Sequence, residues 1–391
     1  MMEKDTQRIA FCGTRGLPAN YGGFETAVDE ITKRFVAAGY QCDVVCRESS
    51  AGENRPNHDG RNLVYVKGSR SRRLDTFVSA IQTGWYLLKN RWQYRHVFWF
   101  NNANFPGILL TWLAGIPMSV NTDGLEWRRA KWSWPFKLYY ILSSFVISLI
   151  CRRLISDSYA IQAYYRKHFF AKSTLIPYGA PAVLDVDDVQ TAAVLERFGL
   201  AKERYFLQIT RFEPDNLPLE TSRAFIESRL SERGYRMVLV GYKDPTPYAM
   251  RLKELDGKSG VRVLNAIYDP HIIAVLRRNC FCYVHGNSVG GTNPALLEAM
   301  GYCPRIMAFD CEFSHEVLGP LGIYFDPKLV APTFVKIVGS ADQRVQLASR
   351  VNQLYQWDAV ADAYVQLVEA GKAEYRPAAI ESIPIDQQGR H

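Results

Sequence analysis

The chain has 391 residues, 48% of them hydrophobic, 13% aromatic and 22% charged. That is more than one ordinary core encloses, so two domains are expected. Forty-seven Lys and Arg against 39 Asp and Glu leave a formal net charge of +8, which points to anionic partners such as a membrane surface or phosphorylated small molecules. Without a zinc-finger spacing, an RNA-binding sheet signature or a long basic helix, nucleic acid is not expected among them.

Residues 8–12 read as a short apolar strand, followed by the loop Gly13-Thr14-Arg15-Gly16-Leu17-Pro18. After Tyr21-Gly22-Gly23, the residues Phe24, Ala27, Val28, Ile31 and Phe35 recur at helical spacing, and Gly39 ends the helix. A strand at 41–46 closes a βαβ unit around a Gly-rich turn. That turn lacks the GxGxxG fingerprint, which disfavours a dinucleotide dehydrogenase. Further strands are expected at 63–67, 97–100, 118–121 and 153–156, ahead of Tyr178-Gly179-Ala180 and a polar linker at 185–188.

The second half starts the alternation afresh. It reads as a strand at 204–209, a helix at 219–230, a strand at 236–240, a helix at 248–254 and a strand at 261–264. Asp269 and Pro270 open a helix as N-cap and first residue. A strand at 281–284, a helix from Pro294, a strand at 305–309 and a late helix at 359–369 follow, and the tail from Ala373 is polar. The eight cysteines form no CxxC pair and read as buried thiols of a reducing cytoplasm. The first residues carry no signal-peptide pattern, and the longest apolar run, 138–150, is too short to span a bilayer.

The most informative stretch runs from His285 to Gly301. A buried strand leads through a loop containing Gly290-Gly291 into a helix opened by Pro294. Backbone N–H groups at such a helix start lack partners and sit at the positive end of the macrodipole, and bare glycines let a diphosphate approach them. Glu298 follows one turn in, where a carboxylate reaches a ribose diol. Gly22 and Gly23 offer a second such helix start in the first half. His285 and His315 read as structural histidines.

Glu298-Ala299-Met300 resembles the second half of the signature of retaining GT-B glycosyltransferases of family 4, whose two glutamates are separated by seven residues; Gly290 stands in the first position. Ser288-Val289-Gly290-Gly291-Thr292-Asn293-Pro294, Thr14-Arg15-Gly16-Leu17-Pro18 and Gly22-Gly23-Phe24-Glu25-Thr26 are similar to the branch that includes bacterial β-1,4-rhamnosyltransferases of capsule and cell-wall polysaccharides. The resemblance implies an α/β protein of GT-B type, with two Rossmann-like domains facing a cleft. An acceptor domain would occupy 1–182, a nucleotide-sugar domain 183–356, and a crossover helix and tail 357–391.

It further implies transfer of a sugar with retention from a dTDP- or UDP-sugar donor, dTDP-L-rhamnose above all, to a polyprenyl-diphosphate-linked saccharide. Attack would be from the front face, with the leaving diphosphate accepting the proton and neither metal nor other cofactor required. The donor would meet Gly22, Gly23, Arg211, Asn216, Gly290, Gly291, Thr292, Asn293 and Glu298. Relatives place a lysine where Asn216 stands, so another cation such as Arg15 would have to compensate. Asp123 occupies a position relatives give to a cleft histidine; with Glu126 and Arg211 it forms the expected catalytic set. Trp127, Arg128, Arg129, Lys131 and Trp132 interleave basic and aromatic residues ahead of Lys137, as segments at an anionic lipid interface do. With Arg15 they form the expected acceptor and membrane side, on the inner face of the plasma membrane. Two rivals are a nucleotide-sugar epimerase on the same scaffold and a non-catalytic carbohydrate-binding protein.

Overall fold

The computed structural model describes residues 8–19, 22–48, 54–69, 71, 74–122, 124–129 and 132–377. β1 (Arg8–Cys12), α1 (Gly23–Ala37) and β2 (Cys42–Arg47) form the expected βαβ unit. β3 (Asn57–His58), β4 (Arg61–Val66), α2 (Asp75–Lys89), β5 (Tyr94–Phe100), α3 (Phe105–Leu113) and β6 (Met118–Asn121) follow. α4 (Trp134–Ile150), β7 (Leu154–Ser156), α5 (Tyr159–His168) and β8 (Ser173–Leu175) complete this half. Its strands make one sheet in the order β3-β4-β2-β1-β5-β6-β7-β8, parallel except for the β3–β4 pair.

The second half runs α6 (Asp188–Phe198), β9 (Tyr205–Ile209), α7 (Pro218–Glu227), β10 (Arg236–Tyr242), α8 (Pro247–Lys253) and β11 (Val261–Asn265). α9 (Pro270–Asn279), β12 (Cys282–His285), α10 (Pro294–Tyr302), β13 (Ile306–Phe309), α11 (Glu312–Leu318) and β14 (Ile323–Phe325) follow. α12 (Val330–Ile337), α13 (Arg344–Leu354) and α14 (Trp357–Ala370) close the chain. The sheet is wholly parallel, in the order β11-β10-β9-β12-β13-β14.

Parallel strands need cover on both faces, and the sequence supplies it. Every residue of β2 and β12 is buried, and α1 turns Ala27, Val28, Ile31, Thr32 and Phe35 inward. Two expectations shift. The helix expected at 219–230 stops at Glu227, because Arg229 takes a left-handed backbone (φ 55°) and a separate turn covers Leu230–Arg233. The linker expected at 185–188 already contains the start of α6, where the Asp187 carboxylate accepts the Gln190 N–H at 2.6 Å. All eight cysteines are free thiols, and all but Cys311 are buried.

The expected late helix is α14, and it returns to the first half. Asp358 accepts from Arg34 at 2.5 Å, while Glu369 accepts from Tyr40 and Arg95, each at 2.7 Å. Tyr364 is buried against Phe98, with ring centroids 5.0 Å apart, and its hydroxyl accepts from Asn121 at 3.3 Å. At the head of α14 the Trp357 indole lies over Gly179, where any Cβ would collide with the ring. The Ala180 N–H donates to the Tyr355 carbonyl at 2.8 Å. Replacing Trp357 with Ala empties this joint and should cost about 3–5 kcal/mol, read as a lower urea midpoint with Ala180 and Gly179 unchanged.

A second tie joins α11 to α5. Both Glu316 oxygens accept the Tyr159 N–H, each at 2.9 Å, at the start of α5. Burial pushes the Glu316 carboxyl up to about 7, against the lowering effect of the Tyr159 and Ala160 N–H groups. The folded protein therefore holds a proton that the unfolded chain, with a carboxyl near its ordinary value of 4.5, has already released. Stability from this proton is complete below pH 4.5 and is lost as pH rises through about 7. Glu316→Gln lacks that titration. The unfolding midpoint of the wild type relative to the variant should fall between those two pH values and stay level above them.

Candidate active site

The strand β12 delivers the chain to the loop 286–293, and α10 starts behind it with Asn293 as N-cap, its side chain accepting from Ala295 at 3.0 Å. Gly290 has φ 155°, and open space surrounds its Cβ position. The loop is braced from below by the turn after β9. Ser288 donates to the Asp215 carbonyl through both its N–H and its hydroxyl, at 2.9 Å each. Gln208 donates to the Asn216 carbonyl at 2.8 Å and accepts from Thr221 at 2.7 Å. A Cβ on Gly286 would strike the Asn216 carbonyl, so the two loops form one packed unit.

The first half meets this unit with bare backbone. α1 begins at Gly23 with no side-chain cap on its first turn, and a Cβ on Gly23 would stand 3.2 Å from Pro294. A Cβ on Gly124 would stand 3.1 Å from Gly290, and one on Gly291 would collide with the Asp157 carboxylate. Thr292 donates its hydroxyl to the Asp157 carbonyl. Gly22, Gly23, Gly290, Gly291, Thr292 and Asn293 are thus brought to one seam. A shallow recess on the second half's side of the seam is lined by His285, Asn287, the 289–291 loop, Asn293, Leu296, Phe313 and Ser314. It has room for about one water, far from the ~300–1,000 Å³ of sites that enclose a whole ligand. A nucleotide sugar would have to part the two halves. Burial pushes His285 down to about 4, so it lines the cavity as a neutral imidazole. His315 pairs with Asp310 at 2.7 Å away from it.

Glu298 sits one turn into α10, and its carboxylate pairs with Arg277 of α9 at 2.5 Å. The Arg277 side chain is 5% exposed and that of Glu298 33%, so part of the carboxylate still faces solvent. Arg211 is exposed at the C-terminal end of β9, with no side-chain partner among the described residues.

Several expected residues have other tasks. Asn216 is 3% exposed and donates its amide to the Arg211 carbonyl at 2.9 Å. Its side chain satisfies a turn and is not presented to a diphosphate. Glu126, expected in catalysis, is held by Arg129 and by the Trp132 indole N–H at 2.9 Å, which leaves its carboxylate little freedom to move a proton. Trp127 is buried against Tyr140, Tyr164 and Phe169, so neither it nor Arg129 is available to a membrane. Trp132 stacks on Phe136 at 4.0 Å, and Arg128 is exposed, over Tyr164. Asp123 and Lys131 lie outside the described residues. Arg15 is exposed, and its N–H donates to Glu25 at 3.0 Å, a brace for the first glycine loop.

Sequence reasoning missed Asp157, Arg277 and Glu316. Asp157 follows β7 directly, and the C-terminal ends of parallel strands are where such folds place ligands. That signal was available. Arg277 looked like one of two basic residues ending a helix, and nothing local marks it as the partner of Glu298. A second polar recess, lined by Thr14, Arg47, Ser79, Thr83 and Asn104, opens at the ends of β1 and β2. Among the described residues no three His, Cys, Asp or Glu are grouped to hold a metal ion.

Residues 6–181 match a family described as a domain of unknown function, DUF1972. No curated protein matches the sequence. Solved structures do match over nearly the whole chain. A sucrose-phosphate synthase from Thermosynechococcus elongatus is 16% identical with a TM-score of 0.73, covering 93% of this chain and 98% of its own. Anabaena Alr3699/HepE, in complex with UDP and glucose, is 12% identical with a TM-score of 0.69, covering 93% and 100%. An α,α-trehalose-phosphate synthase (UDP-forming) from Burkholderia vietnamiensis is 10% identical with a TM-score of 0.68, covering 95% and 100%. The chain therefore has the GT-B fold: two Rossmann-like α/β domains flanking a cleft, with the C-terminal helix packed back onto the first domain.

Proposed function

We propose that the protein is a retaining glycosyltransferase of family 4 type that moves a sugar, L-rhamnose from dTDP-L-rhamnose in the first place, to a lipid-linked saccharide of a surface polysaccharide. The single observation that carries this reading is the meeting of two helix starts, α1 at Gly23 and α10 at Pro294, across a seam of bare glycines. The start of α1 lacks a side-chain cap, and both starts present the positive end of a helix dipole, so together they suit one diphosphate. The structural relative solved with UDP and glucose supports a nucleotide sugar as the ligand. Arg211 supplies a full positive charge at the rim, where negative charge grows on the leaving diphosphate. With Asn216 turned inward, that role falls on Arg211 and on backbone N–H groups. In the proposed route the acceptor hydroxyl attacks from the face the diphosphate leaves, and the diphosphate takes its proton.

One observation favours the non-catalytic rival: the Glu298 carboxylate is already engaged by Arg277. A charged hydrogen bond from Glu298 to the donor ribose is worth ~1.5–3 kcal/mol. Glu298→Gln should therefore weaken dTDP or UDP binding by roughly ten- to a hundred-fold at 1.4 kcal/mol per decade, measured by calorimetry. Equal affinities would remove Glu298 from the donor site. A collapse of the nucleotide-free melting temperature would assign it to Arg277 alone.

Asp123 is proposed to hydrogen-bond and orient the acceptor hydroxyl whose proton the diphosphate takes. Asp123→Asn keeps the side-chain size, and turnover on a lipid-linked acceptor should fall by ~10²-fold or more, with nucleotide affinity unchanged. Turnover near the wild-type value would make Asp123 a turn residue.

A further inference from the structure

The helix α4 is turned inside out. Trp134, Leu138, Ile141, Leu142, Phe145 and Leu149 fall at i, i+4, i+7, i+8, i+11 and i+15, one face of a helix, and that face is exposed, with Trp134 at 73% and Leu149 at 66%. The opposite face carries Tyr140, Ser143, Ser144 and Ile147, all buried. The inward serine face is held in place by polar bonds. Asn102 donates to Ser144 at 2.9 Å, and the Tyr140 hydroxyl bonds to Asn101. A helix of a water-soluble domain turns its large apolar residues inward. Here the two faces have exchanged places, in a helix of 17 residues that does not meet the requirements for crossing a bilayer.

Charge says what covers this face. From Arg61 to Leu184 the chain has seventeen Lys and Arg and only four Asp and Glu, while the rest of the chain is net acidic. Two of the four acids are internal partners: Asp75 of Arg47, and Glu126 of Arg129. The exposed cations lie beside α4. Arg128 sits over Tyr164 of α5, whose Phe169 touches Phe145. Arg166 and Lys167 end α5, next to Phe170, which is 89% exposed. A second copy docked on this face about a two-fold axis would set these cations against one another. We infer that the outer face of α4, with the cations at the end of α5, is the surface by which the protein lies on an anionic lipid bilayer. The apolar side chains enter the acyl boundary and the cations meet the head groups. The inference rests on the lipid-linked acceptor proposed above for the reason a membrane is near. It moves the contact from the 127–132 segment, whose Trp127, Arg129 and Trp132 are engaged inside the domain, to the helix that follows.

The test uses the full chain and vesicles of phosphatidylglycerol and phosphatidylcholine in equal parts. The wild type should sediment with them, less so as salt rises and hardly at all with phosphatidylcholine alone. A Leu142→Glu, Phe145→Glu double variant should partition at least tenfold less, and Arg166→Ser with Lys167→Ser several-fold less. The four side chains are solvent-facing, so far-UV circular dichroism and the urea midpoint should match the wild type. Wild-type protein that stays in the supernatant, or variants that sediment equally, would overturn the inference. So would a wild-type dimer in light scattering that the glutamate variant dissociates, because the face would then belong to a second copy. Calorimetry with dTDP or UDP on the same variants separates the two proposals. Vesicle binding without nucleotide binding removes the transferase reading and leaves the surface; nucleotide binding without vesicle binding does the reverse.

Discussion

Two parallel sheets put their ligand-binding ends to use only if those ends face each other, and the helix α14 enforces that arrangement. It leaves the second half at Trp357, which covers Gly179 at the end of the first, and finishes where Glu369 receives Tyr40 and Arg95. Its centre is apolar and buried, with Tyr364 among Phe98 and Phe100. The aromatic core sets the position and the ion pairs at its surface set the register. Everything at the seam inherits its geometry from that return.

The seam itself is made by what is missing. Side chains at Gly23, Gly124 and Gly291 would meet Pro294, Gly290 and Asp157 from the opposite half. Their absence lets the backbone of one half come into contact distance of the other. A ligand of nucleotide-sugar size between the halves would have to part them where the Cβ positions of Gly23 and Gly124 already stand 3.2 and 3.1 Å from the opposite side. Glu316, which caps α5 from α11, and Thr292, which bonds Asp157, are the contacts such a separation has to break.

The outer layer of the first half follows a different logic. α2 and α3 pack on each other over the sheet, and Phe77 of α2 reaches Tyr139 of α4. Exposed apolar residues continue from α4 onto this layer, with Trp85, Trp112 and Leu113 also facing out. Among the described residues the second half shows no comparable helix. Apolar exposure and positive charge are thus concentrated on the half expected to receive the acceptor.

The alternation of strands and helices was legible in the sequence because buried parallel strands are short apolar runs and their helices carry a 3.6-residue period. The glycine loops at 22–23 and 290–291 were legible because backbone freedom and a following helix start are local properties. α6 was not, since it buries no residue fully and leaves no apolar stripe; only its Asp187 cap and Gly199 stop announced it. Partnerships across the chain were equally hidden. Whether Glu298 faces a ligand or Arg277, whether Asn216 points outward or back to Arg211, and whether Trp127 is core or interface depend on residues distant in the chain or on the local path of a turn. The inversion of α4 shows the same limit. Its sequence states that one face is apolar and the other carries serines. Only the polar groups waiting at Asn101 and Asn102 decided which of them turned inward.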